Sequence, residues 1–336
     1  MVQVNTISVS SPSNIALIKY WGMSDESRTL PNNVSLSMTL SRCVSNCTLA
    51  PLKRGEPDEI LWQTTDRLLV PAEASMRMGI ERHLAQLRHH LDDRRPLRVA
   101  TGNNFPTGAG IASSAAGFSA LAVAFAIHCG QALDDPMLSQ LAQLSGSGSA
   151  ARSVLGGFVQ WPAMANLLDG AAEQLAPAQH WPLHDLIAVV DAGHKDISSR
   201  QGHQLAASSP FYSTRLSLLP KRLEAVRQAI LHRDFDALAD AVECEAVELH
   251  MIAMTSQPPI FYWQPATLRV LGRVRQLRRQ GLQVCATVDA GPNVHVLCTA
   301  QHAPAAFAAL RTLPEVKQWI CDQVGEGPRR LSRHLF

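Results

Sequence analysis

The residues best suited to chemistry lie in residues 103–117, Asn-Asn-Phe-Pro-Thr-Gly-Ala-Gly-Ile-Ala-Ser-Ser-Ala-Ala-Gly. Pro106, Gly108 and Gly110 form a glycine-bearing turn, Ser113 and Ser114 add two hydroxyls, and an almost purely apolar helical pattern follows over residues 115–129. Glycines let a backbone approach a ligand and take up positive φ. The first turn of the next helix offers free N–H groups at the positive end of its dipole. The pattern suits an anion site built from main chain. Ser113 or Ser114 has two compatible uses, capping the helix or ligating a phosphate-bound Mg2+. Neither G-x-x-x-x-G-K-[ST] nor G-x-G-x-x-G is matched, so neither of those phosphate-binding folds is indicated. Taken alone, a tight turn into a buried helix accounts for the glycines equally well.

Other clusters give that stretch company. Residues 145–153 alternate Gly and Ser ahead of Arg152, offering N–H groups, hydroxyls and a planar fork for carboxylate or phosphate. A flexible linker is the plainer reading, although linkers rarely sit between an apolar helix and a strand. Residues 11–22 carry Asn14, Lys19 and Tyr20 among Ile and Leu; buried Lys and Asn are costly unless paired or facing a ligand, the alternative being that they snorkel to the surface. Polar residues crowd 191–200, at the end of an apolar run, a frequent place for function. Asp289 opens Asp-Ala-Gly-Pro-Asn between two strand-like runs, where an aspartate can also be a simple turn former.

The elements that must position these residues follow from periodicity. Strands are expected at 4–12, 34–49, from 60, 97–101, 186–190, 283–288 and 294–298, and helices at 72–91, 115–129, from 134, 220–233 opened by Pro220, 235–253, 265–280 and 303–313. His83, His89 and His90 are expected on a solvated face, and the tail beyond Pro328, with Arg329, Arg330, Arg333 and His334, loosely held and solvated.

A chain of 336 residues implies two domains, and 46% apolar with 17% charged residues describes an ordinary globular protein. A net charge of +2 argues against nucleic acid or a membrane surface as partner. No apolar run reaches the length of a membrane span, and no secretory leader is read at the amino terminus. Seven scattered cysteines are best explained as reduced thiols in a cytoplasmic protein; Cys43 and Cys47 lack a second pair that would make a zinc site.

Residues 11–22, 103–117 and 288–293 together resemble the three signature regions of the GHMP kinase superfamily. In detail they resemble its decarboxylase branch, mevalonate diphosphate decarboxylase: Asn-Ile-Ala-Leu-Ile-Lys-Tyr-Trp-Gly, the Pro-Thr-Gly-Ala-Gly-Ile-Ala-Ser-Ser loop, Gly-Ser-Gly-Ser-Ala-Ala-Arg-Ser, Ile197-Ser198-Ser199 and Asp-Ala-Gly-Pro-Asn. The resemblance implies an α+β, GHMP-kinase-like two-domain fold with an active-site cleft between the domains, an N-terminal ATP-binding domain at 1–184 and a C-terminal domain at 185–336. It implies ATP with Mg2+, a phosphorylated mevalonate as substrate and a homodimer. The implied reaction, in isoprenoid biosynthesis, phosphorylates the tertiary 3-hydroxyl of mevalonate 5-diphosphate and then loses phosphate and CO2 to leave isopentenyl diphosphate.

By the same resemblance Asp289 is the general base or orienting group for the hydroxyl, and Arg152 holds the substrate carboxylate by a bidentate pair. Lys19 acts near the phosphate end, Asn14, Tyr20, Ser147 and Ser149 contact substrate, and Lys195 reaches the ATP phosphates. The nucleotide is cradled by Pro106, Gly108, Ala109, Gly110, Ala112, Ser113 and Ser114, the two serines also serving the metal. One departure matters: Met23 stands where the family usually has lysine, the loss of a charge-assisted contact of about 1.5–3 kcal/mol. The substrate could then be the 5-phosphate, or Arg28 or Arg200 could compensate. A 3-kinase that stops before decarboxylation and a catalytically silent module binding ATP or an isoprenoid precursor are the remaining alternatives.

Overall fold

The structure, a computed structural model, describes residues 6–25, 30–106, 110–162, 170–191 and 197–336. The chain begins with β1 (Ile7–Ile18), a ribbon of β2 (Met23–Asp25) and β3 (Leu30–Pro31), and the long β4 (Ser35–Pro51). Next come β5 (Glu59–Gln63), β6 (Leu69–Pro71), α1 (Ala74–Leu91) and β7 (Leu97–Asn103). They are followed by α2 (Ser113–His128), α3 (Asp135–Gln143), the short α4 (Gly148–Arg152), β8 (Phe158–Trp161) and β9 (Glu173–Ala176). Then β10 (Leu183–Val189) leads to α5 (Ser199–Leu205), α6 (Tyr212–His232), α7 (Phe235–Thr255) and α8 (Pro265–Arg279). The hairpin of β11 (Val284–Thr287) and β12 (Val294–Thr299), then α9 (Ala303–Leu310), β13 (Gln318–Gln323) and β14 (Arg329–Leu331) complete the chain.

Two sheets carry the fold. The larger has the order β14-β1-β4-β7-β5-β6, with β8 joined to β4 and β9 to β8; the smaller has the order β11-β12-β10-β13. Helices α1 to α4 cover one face of the larger sheet in a core that includes Leu84, Phe125, Leu141 and Ala151. Helix α2 is apolar on nearly all sides, as suits a helix that packs on the sheet and on neighbouring helices at once. A second core joins Ile15, Leu17 and Met38 of the larger sheet to Ile187 and Leu297 of the smaller through Leu223 and Val242 of α6 and α7. Helices α8 and α9 cover the outer face of the smaller sheet.

Several expectations are corrected. Strand β1 runs on to Ile18, and Pro12 is accommodated at a register shift against β4, where a missing N–H costs no ladder bond. Helix α6 begins at Tyr212, eight residues before Pro220: the buried stripe Tyr212, Arg215, Leu219, Leu223 and Val226 outweighs the interior proline. His83 is buried, bonded to the Leu141 carbonyl at 2.9 Å, while His89 and His90 are exposed as expected. The basic tail is held: β14 pairs with β1, Leu335 N–H donates to Thr48 Oγ1 at 3.1 Å, and Arg98 lies over the Phe336 ring. Among the described residues no helix is long and apolar enough to cross a membrane.

Candidate active site

Asp289 follows β11 in a tight turn closed by Gly291 N–H donating to the Asp289 carbonyl at 2.7 Å. Asn293 explains the end of that motif. Its Oδ1 accepts from Val190 and Asp191 N–H at 2.7 and 2.9 Å, and its Nδ2 returns a bond to the Asp191 carbonyl, so the turn is tied to the end of β10. The Asp289 carboxylate is ion-paired with Lys19, which sits just past β1 and also donates to the Ala16 carbonyl at 2.9 Å. The lysine side chain is 3% exposed and the aspartate 24%, so the pair opens to solvent from the carboxylate side. Burial alone would raise the Asp289 pKa; the Lys19 ammonium, with His295 and Arg152 farther off, outweighs it and holds the carboxyl below its ordinary value. Behind it His295 Nδ1 and Asp185 Oδ2 are bonded at 2.6 Å, both buried.

Arg152 ends α4 and is 1% exposed. Its Nε donates to Ser37 Oγ at 2.9 Å, Nη1 to Ser35 Oγ at 2.6 Å, and Nη2 to Ser149 Oγ and Asn14 Oδ1 at 3.2 and 3.3 Å. All four acceptors are neutral. The guanidinium is oriented without being neutralised, and although burial pulls its pKa down to about 10 it stays charged at neutral pH. Gly148 makes this possible: a Cβ there would lie 2.2 Å from the Trp161 ring, so only glycine lets α4 sit this low on the sheet.

Lys19, Tyr20, Ser147, Ser149, Arg152 and Asp289 line one cleft of about 270 Å³, together with Gly110, Ala112 and Ser114 from the start of α2 and with Met23, Arg82, Arg200 and His203. A second cavity of about 260 Å³ lies on the other side of the α2 N-terminus, walled by Trp62, Met76, Ile80, Ser113 and Leu121, and it shares Ser114 and Phe118 with the first. Helix α2 thus points its N-terminus between a charged cleft and an apolar cavity. Its N-cap is Ala112, in the left-handed conformation, and no side chain caps it, so the capping role expected of Ser113 or Ser114 is not used. Gly110 has φ +79 and open space where a Cβ would stand, which leaves room for a ligand against the backbone.

A family model of the diphosphomevalonate decarboxylase-like N-terminal domain matches residues 11–172, and one of the mevalonate 5-diphosphate decarboxylase C-terminal domain matches residues 185–323. The diphosphomevalonate decarboxylase of Candida albicans is 37% identical over 358 aligned positions, covering 98% of each chain. This chain belongs to the diphosphomevalonate decarboxylase family. The mevalonate diphosphate decarboxylase from Enterococcus faecalis is similar in structure, with a TM-score of 0.87 at 32% identity over 97% of this chain and 98% of that one. A structure of MDDEF in complex with MVAPP, AMPPCP and magnesium gives a TM-score of 0.88 at 34% identity, again over 97% and 98%.

Within this decarboxylase fold the residues expected from sequence separate into groups. Asp289, Lys19, Arg152, Tyr20, Ser147, Ser149, Gly110, Ala112 and Ser114 come together on the cleft, while Ser113 faces the second cavity. Asn14 lies behind Arg152, where its Nδ2 holds Ser149 O and Ser153 Oγ at 3.0 and 2.8 Å, and Pro106 lines neither cavity. Lys19 stands against Asp289. Gly108, Ala109, Lys195 and Arg28 lie outside the described residues.

Sequence reasoning missed four residues on α5 to α7 that hold the segment carrying Lys19 and Tyr20: His203, Arg215, Tyr212 and Glu245. A signal existed for two of them. Glu245 interrupts the buried stripe Leu238, Val242, Leu249, Ile252 of α7, and Arg215 interrupts the corresponding stripe of α6. A charge on a core-facing position needs a partner.

Proposed function

We propose that this chain decarboxylates mevalonate 5-diphosphate at the expense of ATP, giving isopentenyl diphosphate, ADP, phosphate and CO2. The observation that carries this reading is the convergence on one cleft of an ionised carboxylate, an oriented but unneutralised guanidinium and a helix N-terminus. The apolar second cavity suits a nucleoside, its phosphates crossing to the charged cleft past Ser114 and the N–H groups of the first turn of α2. Among the described residues no group of His, Cys, Asp or Glu is set to hold a metal. Mg2+ fits the hydroxyls of Ser113 and Ser114, because it is commonly held by nucleotide phosphates with one or two protein oxygens. When bound, it screens the charge of the phosphates as the γ-phosphoryl moves.

In the cleft Asp289 accepts a hydrogen bond from the tertiary 3-hydroxyl and aims its oxygen at the γ-phosphorus. A carboxylate held below its ordinary pKa is a weak base. That suits a loose phosphoryl transfer, in which the proton leaves late and orientation does most of the work. Lys19 keeps Asp289 ionised. Arg152 holds the substrate carboxylate with the free N–H of Nη1 and an N–H of Nη2 that gives up its long bond to Ser149, so that the C–C bond lies parallel to the departing C3–O bond and its electrons form the alkene as phosphate leaves. Ser147 and Ser149 contribute hydroxyls on the same wall, and Lys195 is proposed at the ATP phosphates.

A second reading, the 5-phosphate as substrate, is favoured by one observation: Met23 lines the cleft and brings no charge. ATP-dependent CO2 release from the diphosphate and the 5-phosphate, compared side by side, tests both readings. Preference for the diphosphate supports the first, and ADP without CO2 from either would leave a 3-kinase. We further propose domains at 1–184 and 185–336, a cytoplasmic location and a homodimer, the last checked by light scattering.

A further inference from the structure

The segment that follows β1, residues 19–22, is held at Lys19, Trp21 and Gly22 by side chains of α5, α6 and α7, with Asn33 added from its own half of the chain. Lys19 N–H donates to Glu245 Oε1 at 3.0 Å, and the Lys19 carbonyl accepts from Arg215 Nη2 at 3.1 Å and from Asn33 Nδ2 at 3.1 Å. The Trp21 carbonyl accepts from the Tyr212 hydroxyl at 2.7 Å, and Gly22 N–H donates to His203 Nδ1 at 3.0 Å. Arg215 and Glu245 are themselves bonded at 2.5 Å with side chains 0% exposed, and Arg222 takes the second Glu245 oxygen at 2.8 Å.

The Lys19 N–H belongs to the peptide before its Cα and the carbonyl to the peptide after it. Holding both fixes φ and ψ at Lys19, and with them the direction in which the side chain leaves the backbone. A wholly buried ion pair is seldom the most stable filling for such a site, since apolar residues of similar volume do as well or better. What apolar residues cannot supply is an acceptor for one Lys19 peptide and a donor for the next.

We propose that Glu245 and Arg215 are positioning residues for the reaction, holding Lys19 so that its ammonium stays on the Asp289 carboxylate. The proposal rests on the reading of Asp289 and Lys19 given above. It makes α6 and α7 part of the catalytic apparatus of a strand that belongs to the larger sheet.

Glu245→Gln keeps an oxygen for the Lys19 N–H but removes the charge that aligns it; Arg215→Lys keeps the charge but not the reach to the Lys19 carbonyl. Kinetics of both between pH 5 and 9, beside thermal melts, test the proposal. The groups facing Asp289 are Lys19, Arg152 from α4, His250 from α7, His295 from β12 and Asp185 from β10, with Arg82 and Arg200 lining the same cleft. Only the Lys19 contact is altered by design. The expected result is a kcat/KM for the mevalonate substrate lower by roughly tenfold to a hundredfold, with the acid limb moved up by about one pH unit. ATP affinity should stay within about twofold, and in a Lys19→Gln background Glu245→Gln should change the rate by less than about twofold.

A folded variant with the wild-type rate and acid limb overturns the proposal, as does an undiminished effect of Glu245→Gln when Lys19 is already gone. If both single variants fail to fold, the pair is a folding element and the proposal falls. Should the wild-type protein release no CO2, the functional reading fails by itself. The Asp289 carboxylate band, followed through pH by infrared difference against Asp289→Asn, still decides whether the pair governs that carboxylate: an upward-shifted titration in the variants supports it, an unchanged one refutes it.

Discussion

Arg152→Lys is the substitution whose consequences the geometry specifies most fully. The guanidinium makes two short bonds, to Ser35 Oγ at 2.6 Å and Ser37 Oγ at 2.9 Å, and two long ones, to Ser149 Oγ and Asn14 Oδ1. A lysine is shorter and presents one nitrogen, so it cannot span acceptors on β1, β4 and α4 together. Hydrogen bonds to a charged group contribute about 1.5–3 kcal/mol each, and the serine hydroxyls can retarget, Ser35 already donating to the Trp161 carbonyl at 2.8 Å. A stability loss of about 2–4 kcal/mol follows, which at 336 residues lowers Tm by roughly 3–6 °C. The reaction should lose more. Without a fork the substrate carboxylate is held by a point charge, and about 3 kcal/mol of lost alignment is roughly a hundredfold in kcat/KM. The assay is ADP and CO2 measured in the same sample. On the proposed sequence of steps alignment by Arg152 acts after phosphoryl transfer, so the variant should form ADP faster than CO2, the phosphorylated intermediate accumulating. A folded variant with ADP and CO2 still equal and a kcat/KM within about threefold of wild type would refute the role given to the fork.

Other outcomes follow from the same contacts. Asp289→Asn removes the orienting carboxylate and should lower kcat by about 100- to 10,000-fold while ATP binding, by calorimetry, stays nearly intact; a variant keeping most of its rate would take Asp289 out of the mechanism. Burial holds His83 near pKa 4 and both His203 and His250 near 3, below their unfolded value of about 6.5. The unfolded chain therefore binds these protons first: stability is fully present above about pH 6.5 and falls below it by about 1.4 kcal/mol per pH unit for each histidine, together about 4 kcal/mol per unit, until the folded values are reached. Denaturant midpoints taken from pH 7 to pH 5 should drop steeply, and a flat profile would show that these rings charge without unfolding. Ser114→Ala should leave the melting temperature unchanged, since neither serine caps α2, yet weaken Mg·ATP by roughly tenfold; a stability loss of about 1 kcal/mol or more would show that the hydroxyl does cap the helix.

What the sequence revealed of this site is what local pattern can carry. The turn into α2, the Gly-Ser run before Arg152 and the Asp-Ala-Gly-Pro-Asn turn each declare a backbone geometry through glycine, proline and short polar side chains, and each reaches the cleft. Most elements were legible for the same reason. The failures share another cause. Helix α6 runs through Pro220 because long-range burial decides it, and His83 faces inward because α3 offers a carbonyl there. The held tail is fixed by β1, more than 300 residues away in sequence, for example through Ser8 and Leu331. Glu245 and Arg215 were visible as charges on apolar stripes, but their partner, the backbone of Lys19, has no side-chain signature in any window of sequence.

The same accounting of charges bears on Met23. Of the cations on the cleft, Lys19 is engaged by Asp289 and Arg152 is the one proposed for the substrate carboxylate, which on that proposal leaves the far phosphate of a diphosphate to other groups. Arg82 and Arg200 line the cleft, and so does His203. The form of that histidine is fixed by its neighbours. Gly22 N–H can only donate, so Nδ1 carries no proton and Nε2 does; stacking on Tyr20 at 4.4 Å and against Trp21 at 4.6 Å holds the ring, and burial keeps it neutral. His203 is thus a rigid neutral donor on the cleft wall. A neutral hydrogen bond recovers about 0.5–1.5 kcal/mol of the roughly 1.5–3 that a lysine at position 23 would supply, and one guanidinium in bidentate contact recovers the rest. Arg82, Arg200 and His203 thus line the same cleft as Met23, and the two arginines bring to it the kind of charge that methionine lacks.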